Sequence, residues 1–204
     1  MESNMSDLTF DPSTPATNAP APAHGEPAIG AMVLAFFGTC WMVITFISGF
    51  RQHIAELACL GTLGAILFGT AYTMHRATQK NKRGLPLAAR SPAEVKRDAM
   101  FNRINIMQWL AVGLAILVLN VVQHQAWIVP AIILIVGLHF VPLARLFNVP
   151  FYHLLALALV VISVGLPFMV SDGPQSIVLP LATGAALWVG SVYDILLARV
   201  RARA

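Results

Sequence analysis

Residues 104–123 read INIMQWLAVGLAILVLNVVQ, a run without one charged side chain. A helix needs roughly 20 predominantly apolar residues to cross the hydrocarbon core of a bilayer. Lipid offers no partner for an unpaired backbone amide, so such a run crosses as a fully hydrogen-bonded helix. Outward from Ile104–Gln123, five more stretches of this kind fill the chain: Ala28–Phe50, Ile54–His75, Trp127–Leu146, Phe151–Val170 and Ile177–Leu197. One alone would also fit a buried helix of a soluble domain; six in succession do not. Composition agrees, with 57% apolar and 11% charged residues, against about 25% charged in soluble domains. The expected fold is all-α, a six-transmembrane-helix bundle over residues 28–198.

The connections alternate in charge. Arg51-Gln52-His53, His124-Gln125-Ala126 and Ser171–Ser176 are short and nearly free of cations, whereas the loop 76–103 and the tail 199–204 are rich in them. With Arg145, all but Arg51 of the 13 Lys and Arg residues lie on one side. Positive loops stay cytoplasmic, so both termini are expected inside. The net charge of +4 is thereby a topology signal and does not point to nucleic acid. The expected partners are the bilayer itself and anionic headgroups near Lys80, Lys82, Arg83, Lys96 and Arg97.

Residues 1–27 are rich in Pro, Ala, Ser and Thr, and their charges are all acidic (Glu2, Asp7, Asp11, Glu26). Such a segment cannot bury a core and reads as a disordered tail. It lacks the basic start and short apolar run of a cleaved signal peptide, so the first helix reads as an anchor. In the loop, Ser91-Pro92-Ala93-Glu94 has the order of a helix start, with a capping Ser, Pro at the first helical position and a capping-box acid. Helix 3 is therefore expected to begin near Pro92 and to extend into the cytoplasm before entering lipid. Cys40 and Cys59 lie at different depths and read as packing residues.

Membrane helices associate through close backbone approach and polar contacts. Two rows of small residues are expected to form packing seams: Gly61, Ala65 and Gly69 on helix 2, and Ala182, Ala186 and Gly190 on helix 6. A Gly61→Leu change is expected to abolish stability. Pro130, Pro142, Pro167 and Pro180 place kinks in the second half. No repeat relates the halves, so an inverted-repeat transporter is not supported.

On helix 3, Asn102, Asn105, Gln108, Asn120 and Gln123 share one face, expected to point into the bundle, with Val112 and Ile116 between them. The cytoplasmic half also holds His75, His139, Arg145, Tyr152, His153, Tyr193 and Asp194. The candidate intramembrane polar site is Asn105, Gln108, His139, Arg145, His153 and Asp194, since ionisable groups in spans are expensive and commonly functional. Asp194 has an alternative fate, pairing with Arg145 or Arg103. Trp41 and Trp188 fill space between helices. No HExxH, GxSxG, CxxC or P-loop pattern occurs, so no catalytic residue, metal ligand or cofactor is assigned.

Leu134–Phe147, LIVGLHFVPLARLF, together with upstream Asn105-x-x-Gln108-Trp109, resembles a signature in an uncharacterised family of small bacterial multi-pass inner-membrane proteins. The resemblance covers helices 3 to 5. It implies that His139 and Arg145 belong to a motif, and it implies no chemistry.

Three functions fit these observations. The first is small-solute or proton-linked transport through the cytoplasmic-half site, with histidines as proton relays. The second is a structural or assembly protein whose polar groups lock the bundle. The third is a haem-binding redox protein using His139 with His153 or His75. The charge asymmetry itself yields a prediction: an impermeant thiol reagent applied from the periplasmic side should label a cysteine placed in Ser171–Ser176 and spare one placed in Lys80–Arg90. The reverse pattern contradicts the topology.

Overall fold

The computed structural model describes residues 27–49, 54–82 and 92–201. The acidic tail with its expected disorder, the turn Arg51-Gln52-His53, the loop with the Ser91 cap and the last three residues lie outside the described residues. Six long helices carry the chain: α1 (Pro27–Gly49), α2 (Ile54–Lys82), α3 (Pro92–Val121), α4 (Ile128–Phe147), α5 (Phe151–Met169) and α6 (Val178–Arg201). There is no strand among the described residues. Five helices are long and apolar enough to cross a membrane, over Ile29–Ile47, Val95–Val121, Gln125–Phe147, Phe151–Met169 and Val178–Val200. The chain thus has the pattern of a multi-pass membrane protein. α2 stands outside those five.

Two boundaries differ from or sharpen the sequence reading. α2 does not stop at His75 but runs on to Lys82, because nothing between Arg76 and Lys82 breaks a helix. α3 begins at Pro92, where proline costs no intrahelical hydrogen bond. Tight turns join the later helices. Asn148 takes the left-handed conformation (φ 52°) that closes α4, and its N–H returns to the Ala144 carbonyl.

The side-chain contacts set the order of the helices. Ala31 meets Ser191, and Gly38 meets Gly184 and Trp188, so α1 and α6 run antiparallel. This is the most extensive helix pair. Thr39 against Gly64 packs α2 antiparallel to α1, with Ala31, Ala71 and Ile195 sharing a small cluster. α5 lies along α6 through Leu155 and Gly190. α4 lies along α5, where Gly137 sits so close that a Cβ there would be 3.0 Å from the Leu159 Cβ. α3 reaches the bundle mainly through α4, with Phe101 edge-on to Phe147. The start of α1, the ends of α2, α4 and α6, and the starts of α3 and α5 therefore share one end of the bundle.

One expected seam is reversed. Gly61 and Gly69 have nothing within 4 Å of a built Cβ, and Ala65 is exposed. The small residue of α2 that does meet a neighbour is Gly64, where a Cβ would collide with the Thr39 hydroxyl. Spacing alone identifies a flat row but not which neighbour it meets. The α6 row does pack: Gly190 is buried, and a Cβ there would approach Leu34 to 3.1 Å. Trp41 and Trp188 are both buried. The Trp188 indole N–H donates to Thr39 Oγ1 at 3.3 Å.

The packing replaces the expected effect of Gly61→Leu. Gly64→Leu should destabilise the detergent-solubilised protein by about 1–3 kcal/mol through overpacking. Gly61→Leu, in open space, should stay within about 0.5 kcal/mol of wild type. SDS-induced unfolding followed by circular dichroism measures both.

Candidate functional site

Asp194 is the last inward-facing polar residue of α6 and is 0% exposed. Two residues that the six-member candidate set omits define its surroundings. Tyr152, in the first turn of α5, donates its hydroxyl to Asp194 Oδ2 at 2.8 Å. Gly30, in the first described turn of α1, faces the pair: a Cβ there would lie 2.5 Å from the Tyr152 hydroxyl and 2.6 Å from Asp194 Oδ2. One turn deeper, the Ser191 hydroxyl donates to the Ala31 carbonyl at 2.9 Å. Three helices thus converge on one carboxylate. The Tyr152 hydroxyl satisfies one oxygen of that carboxyl, and the first turns of α1 and α5 lie beside it.

Two aromatic pairs lie at this end of α4, α5 and α6. Tyr152 is edge-on to Phe140, with centroids 5.7 Å apart. Tyr193 stacks on Phe151 at 4.1 Å and 13°. The pair itself is buried, with Tyr152 6% and Asp194 0% exposed, which makes an unsatisfied polar group there costly.

The other candidates lie on α3, α4 and α5. Arg145 and His153 are exposed, and Arg103 is exposed as well. Asp194 accepts a hydrogen bond from the Tyr152 hydroxyl, while Arg145, His153 and Arg103 reach the surface. Arginine side chains near a helix end gain more by reaching the wet interface than by entering this enclosed junction. His139 is half-buried on α4, with its ring 6.1 Å from that of Phe140. Asn105 and Gln108 are half-buried on α3, on the side that bears the buried Val112.

The expected inward face of α3 holds only in that part. Asn102, Ile116, Asn120 and Gln123 are exposed. Asn120 satisfies itself by donating to the Ile116 carbonyl at 2.8 Å, and Gln123 donates to the Asn120 carbonyl at 3.0 Å. Local back-bonding of this kind lets an amide sit outside a bundle.

Tyr152 carried a legible signal. It shares a helix face with Leu155, Ala156 and Leu159, all buried, at spacings of three, four and seven. Gly30 carried none, because its role depends on which helix lies opposite. Among the described residues, no three of His, Cys, Asp and Glu gather as metal ligands would.

The fold and its buried junction define a helical bundle of membrane-spanning character with an intramembrane carboxylate. Residues 100–196 match the model of a family described as "Family of unknown function (DUF7010)". The match runs from α3 to just past Asp194, so it includes Tyr152 and all six candidates and leaves Gly30 outside. No curated protein and no solved structure matches the chain.

The junction makes a specific prediction. Gly30→Ala should push Tyr152 and Asp194 apart and destabilise the protein by about 1–3 kcal/mol. Asp194→Asn, whose amide oxygen still accepts from Tyr152, should cost less than Asp194→Ala, which leaves the phenol without its acceptor. Unfolding midpoints in mild detergent report the ranking. An Asp194→Asn variant as unstable as Asp194→Ala contradicts the assigned geometry.

Proposed function

We propose that the chain is a six-span protein of a bacterial inner membrane, with both termini in the cytoplasm, and that it is a structural or assembly component whose polar interior holds helices together. The sixth span is α2. α1 ends at the end of the bundle opposite to that where α3 begins, so the chain crosses the bundle between them. α2 makes that crossing antiparallel to α1, and its 29 residues give about 44 Å of helix, enough for a bilayer. The orientation rests on the cations of α2, α3, α4 and α6 meeting at one end.

The observation that carries the structural reading is the closure of the Asp194 junction. A carboxylate at 0% exposure, bonded to Tyr152 and abutted by Gly30, resembles a lock more than a passage. Of the remaining candidates, on α3, α4 and α5, Arg145 and His153 are exposed. One observation favours proton-linked transport as the second reading: an enclosed acid within an apolar bundle is by default a functional group.

Proteoliposomes separate the two. Under the structural reading, wild type and Asp194→Asn pass protons no faster than protein-free vesicles under an imposed pH gradient, and both stay folded. Proton flux above the vesicle background in wild type, lost in Asp194→Asn, contradicts it and supports transport.

A further inference from the structure

The outward surface of α3 has the outline of a phospholipid. Only 6% of the residues in its most apolar window are buried, and the side turned away from α4 is exposed among the described residues. Lys96, Met100, Arg103, Met107, Leu110 and Leu114 follow one another at intervals of three and four, which puts them on one stripe of the helix. All six are exposed. Cations occupy one end of the stripe and hydrocarbon the rest. Asp98 lies two residues beyond Lys96, on the opposite side of the helix, and does not interrupt the stripe. At 30 residues, α3 is about 45 Å long, the thickness of a bilayer with its headgroup layers. With Leu110 and Leu114 in hydrocarbon, Lys96 and Arg103 fall in the headgroup layer of one leaflet.

Two other helices repeat the pattern at the same end of the bundle. On α2, Phe68, Tyr72 and Arg76 are exposed at four-residue spacing, and the Arg76 guanidinium sits 5.3 Å from the Tyr72 ring centre. On α6, Val192 and Leu196 lead to Arg199, again all exposed. The Asp194 carboxylate at this end is enclosed and so withdrawn from the rim. Among the described residues, the exposed cations Arg76, Lys96, Arg103, Arg145 and Arg199 outnumber the exposed acid Asp98 at this end, which favours anions placed where hydrocarbon and phosphate meet.

We propose that the α3 stripe binds an anionic phospholipid, with its headgroup phosphate held by Lys96 and Arg103 and an acyl chain laid along Met107, Leu110 and Leu114. The proposal rests on the membrane reading above and adds the stripe of α3 that holds one such lipid, with Arg103 and the apolar residues along which its chain lies.

The test uses the full chain in phosphatidylcholine bilayers, with brominated acyl chains carried either by added phosphatidylcholine or by added phosphatidylglycerol. A Met107→Trp chain, with its added tryptophan on the stripe itself, serves as the wild-type reference, and the quenching of that tryptophan over the native background reports lipid contact. Brominated phosphatidylglycerol is expected to associate about fivefold or more tightly than brominated phosphatidylcholine, the order expected for one engaged cation. That ratio should fall close to one in Lys96→Gln/Arg103→Gln and should shrink as salt rises. Equal quenching by both lipids in wild type overturns the proposal and leaves the membrane reading intact. No quenching by either overturns the membrane reading itself. Displacement of brominated phosphatidylglycerol by inorganic phosphate overturns the lipid as the source of the phosphate. The wild-type ratio decides the matter even where the double variant fails to insert.

Discussion

A carboxylate inside an apolar bundle must find a donor in the protein, because neither lipid nor aromatic rings can solvate it. This constraint organises the best-packed part of the molecule. Asp194 brings α6, Tyr152 brings α5, and α1 contributes Gly30, whose missing side chain leaves the space in which the other two meet. From that junction the α1–α6 contact continues through Ser191 with Ala31 and through Gly38 with Gly184 to the Trp188–Thr39 hydrogen bond. Small residues let the backbones approach, and each approach brings a polar contact within reach. In lipid, where apolar surface gains nothing by self-association, these are the available forces of helix assembly.

Much of this was readable from the residues. Apolar runs and loop charges gave helices, their approximate ends and their alternation, because the bilayer imposes length and cation placement directly. The start of α3 at Pro92 was legible from cap chemistry. What escaped was neighbourhood. The Gly61/Ala65/Gly69 row faces away from the bundle and Gly64 faces in, yet no pattern within α2 distinguishes the two faces. Asp194 looked like half of an ion pair because cations lay near it in depth. The hydrogen bond the structure shows comes from the Tyr152 hydroxyl, on a helix that depth alone does not bring to it. The six candidate residues come from four helices, and depth in the membrane alone does not say which of them meet.

α3 contrasts with the core. It touches the bundle along one side only, and its polar groups are half-buried on that side or satisfied by its own backbone. Its outward stripe joins hydrocarbon to cations over the length of a bilayer leaflet and its headgroups. A tight α1–α5–α6 junction and a lipid-facing α3 are thus two answers to one solvent. Groups that cannot meet lipid are enclosed, and groups that can are placed at the depth where lipid suits them.

The central claim is that Tyr152 and Asp194 act as one unit at the α1–α5–α6 junction. A double-mutant cycle with Tyr152→Phe, Asp194→Ala and the combined variant, read from SDS unfolding, tests it directly. The claim predicts a coupling of about 1 kcal/mol or more, at or above the usual strength of hydrogen bonds between membrane helices. Additive effects, with no coupling, contradict it.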